Sequence, residues 1–143
     1  MNDKRGGFTL VEIMVVVVII GLLATIVALN VRDSGEEARR TTTRAQISNI
    51  EQALELYHLN NGFFPTTDQG LQALVEKATT PPAPNNFPRG GYMKQLPKDG
   101  WKRDFIYKCP GDRGEYDIIS LGADGKEGGE EFNADITNWD AVQ

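Results

Sequence analysis

Between Ile13 and Val31 only Gly21, Thr25 and Asn30 interrupt an apolar run, and Glu12 stands at its start. A helix needs roughly 20 apolar residues to cross the hydrocarbon core of a bilayer, so this run is read as a membrane helix or a secretory signal. A cleaved signal has a basic start, an apolar run of roughly 7 to 15 residues and small residues before the cut. Leu22-Leu23-Ala24 and Ile26-Val27-Ala28 meet the last condition, yet a discarded signal has no use for Glu12. A carboxylate deep in lipid costs roughly 2.5 to 3.5 kcal/mol on insertion scales, and such groups mark a function and a partner. Nearer the headgroups the cost falls, and Glu12 is then a carboxylate that snorkels to the interface.

GGFTLVEIMVVVVIIG, residues 6–21, resembles the N-terminal signature of type IV pilins and their relatives: a basic leader ending in glycine, then Phe, then Glu five positions into the mature chain. The resemblance implies cleavage between Gly7 and Phe8 by a prepilin peptidase on the cytoplasmic side, followed by N-methylation of Phe8. Lys4 and Arg5 ahead of the run agree, because basic residues hold their flank in the cytoplasm. Cleavage would also create an α-ammonium on Phe8. The expected mate of Glu12 is that ammonium on a neighbouring subunit, since a helix within the membrane does not fold its N-terminus back onto a residue four positions on. Such a pair fixes the axial register of packed helices more than it adds stability.

About 110 residues follow the run, enough for one modest domain on a stalk. The single cysteine, Cys109, excludes an internal disulfide, and its setting in FIYKC reads as a small buried residue. Of the net charge of −5, residues 112–143 carry nine acids against Arg113 and Lys126, a balance of −7 that leaves +2 elsewhere. An acidic end repels phosphate backbones, which argues against nucleic acid and suits a cation.

After Val31 the chain turns polar, with Asp33 or Ser34 able to cap, and Asp33–Arg44 reads as a solvated stalk. An apolar stripe then returns at Ile47, Ile50, Leu54 and Tyr57, a helical spacing. An unbroken helix from Phe8 to about Asn60 would be roughly 80 Å long at 1.5 Å per residue, and Asn60-Asn61-Gly62 stops it. FFPTTDQGLQALVEKA predicts a short second helix, capped by Thr66 or Thr67, with Leu71, Leu74 and Val75 facing inward. Residues 79–91 form a loop dense in Pro, Asn and Gly. YMKQL, DFIYKC and EYDIISL are the expected strands.

In the segment 120–140, glycines at 122, 125, 128 and 129 argue against a regular element, while oxygen-bearing side chains recur at Asp124, Glu127, Glu130, Glu131, Asn133 and Asp135. Calcium takes roughly six to eight hard oxygen ligands from such loops. The spacing fails the EF-hand pattern, however, and composition alone favours a plain acidic loop.

PTTDQGLQALV, LPKDGWKRDFIY, SLGADG and NADITNW follow the pilin-like start in this order and resemble the major pseudopilin family of type II secretion over nearly the whole chain. The resemblance implies an α+β, pilin-like fold, with a long N-terminal helix packed on a small antiparallel sheet domain that carries a calcium-binding loop. It divides the chain into a leader at 1–7, a transmembrane and polymerisation half-helix at 8–31, and a periplasmic globular domain at 32–143. In that family the loop after SLGxDG binds Ca2+, and the matching positions are the Asp124 carboxylate, the Leu121 carbonyl and Asp135. Some members carry a second acid where this chain has Ala134. Glu131, Asn133 or a carbonyl near Lys126 would then replace it. Two further departures are Leu29, where a helix-breaking proline is common, and Gly100-Trp101-Lys102, where a DPWG-like turn is usual and Trp101 reads as a packing residue.

The function implied is structural. A prepilin sits in the bacterial inner membrane with its N-terminus cytoplasmic and its domain periplasmic, is trimmed, and joins a helical homopolymer, the pseudopilus. That filament moves folded proteins through an outer-membrane channel, with minor pseudopilins, an inner-membrane assembly platform and the prepilin peptidase as partners. No enzyme is expected: His58 is the only histidine, and no nucleophile set, zinc set or phosphate loop appears. The alternative is a pilin of an adhesive, motility or DNA-uptake pilus. Many of those close a C-terminal loop with a cysteine pair, and this chain has one cysteine.

Overall fold

A computed structural model of the chain describes residues 7–140, the side chains of 28–32 excepted; Lys4, Arg5 and the Leu29 side chain lie outside the described residues. Two compact units result, Met1–Gly35 and Glu36–Gln143. Helix α1, Leu10–Asn61, is the regular structure among the described residues of the first unit and opens the second.

In the first unit, Leu10–Val27 is long and apolar enough to cross a membrane, with a mean hydropathy of 3.0 and no buried residue. A helix apolar on every side has no polar face to turn to water, which marks it for lipid or for other helices. α1 runs unbroken through position 29, where the sequence has Leu and no proline to remove a backbone donor.

The second unit is built on the other end of α1. Ile47, Ile50, Leu54 and Tyr57 are all at most 1% exposed, so the stripe read from the sequence is the inward face of the helix. Against it pack Leu71 and Leu74, Phe105 and Tyr107, and Ile118 and Ile136. Strands β1 (Ile106–Lys108), β2 (Asp117–Ser120) and β3 (Ile136–Thr137) form an antiparallel sheet in the order β1-β2-β3. Tyr107 pairs with Ile118, and Ser120 with Ile136.

Four expectations need correction. The predicted second helix is a single 3-10 turn, Leu71–Leu74. Gly70, at φ 62, breaks the helical path before it. Upstream, Thr66 and Gln69 exchange backbone-to-side-chain hydrogen bonds of 3.0 and 3.3 Å that close their own turn. Leu71 and Leu74 do face inward, while Val75 is half-buried.

YMKQL is not a strand. The amides of Tyr92 and Met93 both donate to the Leu74 carbonyl, at 2.7 and 3.0 Å, which ties the segment to the 3-10 turn instead of to a ladder. The Tyr92 hydroxyl donates to the Asn86 carbonyl and accepts from the Asn61 side-chain Nδ2, so it seals the end of α1.

Segment 120–140 is not wholly irregular, since it holds a 3-10 turn, Glu131–Asn133, and strand β3. The burial of Ile136 and the open edge of β2 account for that strand. Cys109, expected to be buried, is only half-buried against the core, where its backbone amide donates to the Thr67 hydroxyl and its carbonyl accepts from it. His58 stacks on Phe64 with ring centroids 4.4 Å apart, a packing role.

Candidate functional site

At the start of α1 the Thr9 amide donates to Glu12 Oε2 at 2.7 Å, and the Glu12 amide donates to Thr9 Oγ1 at 3.2 Å. This is a capping box, in which a helix's first unsatisfied amides are bonded reciprocally. Glu12 therefore has an intrachain partner, although its expected mate lay on a neighbouring subunit. The signal for it is local: Thr9 and Glu12 stand at the Thr-x-x-Glu spacing. An unpaired amide in hydrocarbon costs several kcal/mol, so the box fits a helix end near lipid. Gly7 and Phe8 precede it; Phe8 is 84% exposed, and nothing lies within 4 Å of where a Cβ on Gly7 would be.

The second site is the loop 121–135. The Leu121 carbonyl accepts from the Gly125 amide at 3.2 Å. Asp124 Oδ1 accepts from the Lys126 amide at 3.0 Å, and Asp135 Oδ2 accepts from the Gly128 amide at 2.9 Å. Asp135 Oδ1 is enclosed and has no partner. Glu131 sits at φ 53 with its side chain exposed, and the carbonyl of Asn133 lies against Gly122 and Gly129, where no Cβ would fit.

Among the described residues, no three Asp, Glu, His or Cys side chains converge as a metal group. A cation here would draw on carbonyls as well as carboxylates. The available donors are all hard oxygens, and the unpartnered Asp135 oxygen, a group costly to enclose unpaired, fits such an ion.

Two arginines that the sequence did not single out hold this loop. Arg103 donates from Nη1 to the Gly122 carbonyl and from Nη2 to the Ala123 carbonyl, both at 2.7 Å. Arg40, on α1, donates from Nη1 to the Ala134 carbonyl at 3.0 Å. Arg103 is fixed in turn by Asp99, which is 3% exposed. Oδ1 of Asp99 accepts from the Trp101 and Arg103 amides, at 2.9 and 2.8 Å, and Oδ2 accepts from Ser120 Oγ at 2.8 Å.

This turn docks on the helix. The Gly100 amide donates to the fully buried Thr43 hydroxyl at 2.9 Å, and a Cβ on Gly100 would collide with the Arg39 carbonyl. Trp101 packs beside the core as expected and also donates from Nε1 to Glu36 at 2.9 Å. Near β3, burial pushes the Glu51 carboxyl up; the Asn138 side chain opposes this and the Glu55 charge adds to it. Burial likewise raises the Tyr107 and Tyr116 phenols, and Tyr107 donates to the Pro65 carbonyl at 2.8 Å.

The comparisons agree with this anatomy. The family model described as "Type II secretion system (T2SS), protein G" matches residues 30–139, and "Prokaryotic N-terminal methylation motif" matches 2–28. The type II secretion system core protein G of Vibrio cholerae is 52% identical over 95% of this chain and 92% of its own. That of Pseudomonas aeruginosa is 49% identical over 96% of each. The crystal structure of the major pseudopilin from the type 2 secretion system of enterohaemorrhagic Escherichia coli matches with a TM-score of 0.68 at 38% identity, over 78% of this chain and 95% of that one. With matches to both its apolar N-terminal segment and its globular domain, the chain belongs to the type II secretion system protein G family.

Proposed function

We infer that this chain is the structural subunit of a type II secretion pseudopilus, polymerising to drive folded proteins across the outer membrane. The observation that carries this reading is the pairing of a methylation motif and apolar helix with a protein G domain in one chain. The protein is anchored in the inner membrane with Lys4 and Arg5 on the cytoplasmic side, trimmed after Gly7 by a prepilin peptidase and methylated on Phe8. Minor pseudopilins and an assembly platform are its other partners. Extraction from lipid exposes the span, and neighbouring helices rebury it at about 25 cal/mol per Å² of apolar area.

Ca2+ is the cation that suits the acidic loop, held by the Leu121 carbonyl and the carboxylates of Asp124 and Asp135. Glu131, Asn133 or the carbonyl of Lys126 completes the set where Ala134 offers no acid. When bound, the ion supplies positive charge that offsets the crowding of acids in the loop and gives Asp135 Oδ1 a partner.

The test of the assembly reading turns on Glu12. Glu12→Gln keeps the capping box, because Gln serves at that position as well as Glu, but removes the charge that would meet a neighbour's Phe8 ammonium. The expected result is normal membrane insertion with few or no filaments by electron microscopy, and the same for Glu12→Ala. Normal filaments from Glu12→Gln would overturn the pairing and leave Glu12 as a helix cap.

A further inference from the structure

We propose that Arg103 and Arg40 are positioning residues for the cation loop, setting its two ends in the arrangement a divalent ion binds; this rests on the calcium reading above. The clamps and the ligands alternate along the chain. Arg103 grips the carbonyls of Gly122 and Ala123, which lie between Leu121 and Asp124, while Arg40 grips that of Ala134, immediately before Asp135. Each oxygen assigned to the ion from these three residues is therefore next in sequence to a peptide held by a guanidinium.

The grip of Arg103 is itself preset. Asp99 holds its backbone amide at 2.8 Å. Gly125, at φ 69, leaves room for the guanidinium where a Cβ would lie 2.8 Å from Nη1. A planar fork meeting two carbonyls at once is a geometry that lysine does not reproduce. Arg40 ties the other end of the loop directly to α1, so both clamps are rooted in elements packed on the core.

The charge of the arginines opposes their geometry, and that makes the proposal decidable by sign. Two positive groups beside a cation site repel the ion, so if they acted as charges alone, their removal would tighten binding. If they act as positioners, removal loosens it, because the ion must then order the loop itself. Supporting groups around metal ligands are commonly worth about 10- to 100-fold in affinity.

The experiment is a calorimetric titration of CaCl2 into the full chain in detergent, with MgCl2 as control, for the wild type and for Arg103→Gln, Arg103→Lys and Arg40→Gln. Each protein is also melted in chelator to establish its metal-free fold. The expected result is calcium binding by the wild type, a dissociation constant about tenfold higher or more in Arg103→Gln, and smaller losses in Arg103→Lys and Arg40→Gln. Equal or tighter binding by Arg103→Gln, at an unchanged midpoint in chelator, overturns the positioning role and leaves the calcium reading intact. If Arg103→Gln lowers that midpoint, Arg103→Lys and Arg40→Gln decide by the same sign. A wild type that takes up no calcium overturns both.

Discussion

Asp99 is the residue on which the turn 99–103 depends, and its replacement by alanine is the sharpest test of the packing described above. The carboxylate accepts three hydrogen bonds within 2.9 Å, from the Trp101 and Arg103 amides and from the Ser120 hydroxyl. Asp99→Ala leaves all three donors without this acceptor. A stranded buried polar group costs roughly 1 to 3 kcal/mol. Trp101 and Arg103 are half-buried and regain some water, whereas Ser120 is 1% exposed and regains almost none. About 1 kcal/mol for each amide and about 2 for the hydroxyl gives a loss of about 4 kcal/mol. For a small domain that is a fall in melting midpoint of about 15 °C or more. Asp99→Asn keeps the shape and one acceptor oxygen, and should lose about 1 to 2 kcal/mol. The assay is thermal unfolding of the full chain in detergent, followed by circular dichroism and by the fluorescence of Trp101 and Trp139. A loss below about 1 kcal/mol in Asp99→Ala would refute the reasoning, because the donors would then have other partners.

Two further outcomes concern pH. The carboxyl of Glu51 is raised by burial, so the native state binds its proton more tightly than the unfolded chain; this stabilises the fold below the ordinary carboxylate range and fades as pH rises through the native value. Glu51→Gln should therefore flatten the pH dependence of the melting midpoint between pH 4 and 7 and raise it slightly at pH 7; a profile identical to the wild type would contradict the assignment. Tyr107 and Tyr116 are raised above the usual phenol range by burial, so stability should fall once pH passes about 10, where unfolded tyrosine ionises. Absorbance titration of phenolate should then show these two ionising together with unfolding, and ionisation of all four tyrosines in a still-folded protein would count against it.

What was legible in the sequence had a local period. The stripe at Ile47, Ile50, Leu54 and Tyr57 repeats at helical spacing, and the structure buries all four. β2 lies within EYDIISL, where Ile118 is fully buried. Tyr92–Leu96 misleads because the bonds that shape it go to the Leu74 carbonyl, a partner no local pattern announces. β3 is hidden for a similar reason: two residues suffice because β2 lies beside them, and Ile136 stands between Asp135 and Thr137 with no alternating apolar pattern around it. The acids of the loop were visible as a composition, but the arginines that hold it were not. Arg103 and Arg40 stand 63 positions apart in the chain and meet the loop only through tertiary structure, since guanidinium-to-carbonyl bonds have no sequence spacing.

The end of the sheet carries a last consequence. Asn138 donates its backbone amide to the Ile118 carbonyl and accepts the Ile118 amide on its side-chain oxygen, so an amide side chain stands in for the next strand residue. β3 stops after two residues, and at the other edge β1 has only three. Long open edges invite strands from other molecules to pair with them, a hazard for any protein crowded against copies of itself. By keeping both margins short, the fold withholds a template for amyloid-like stacking.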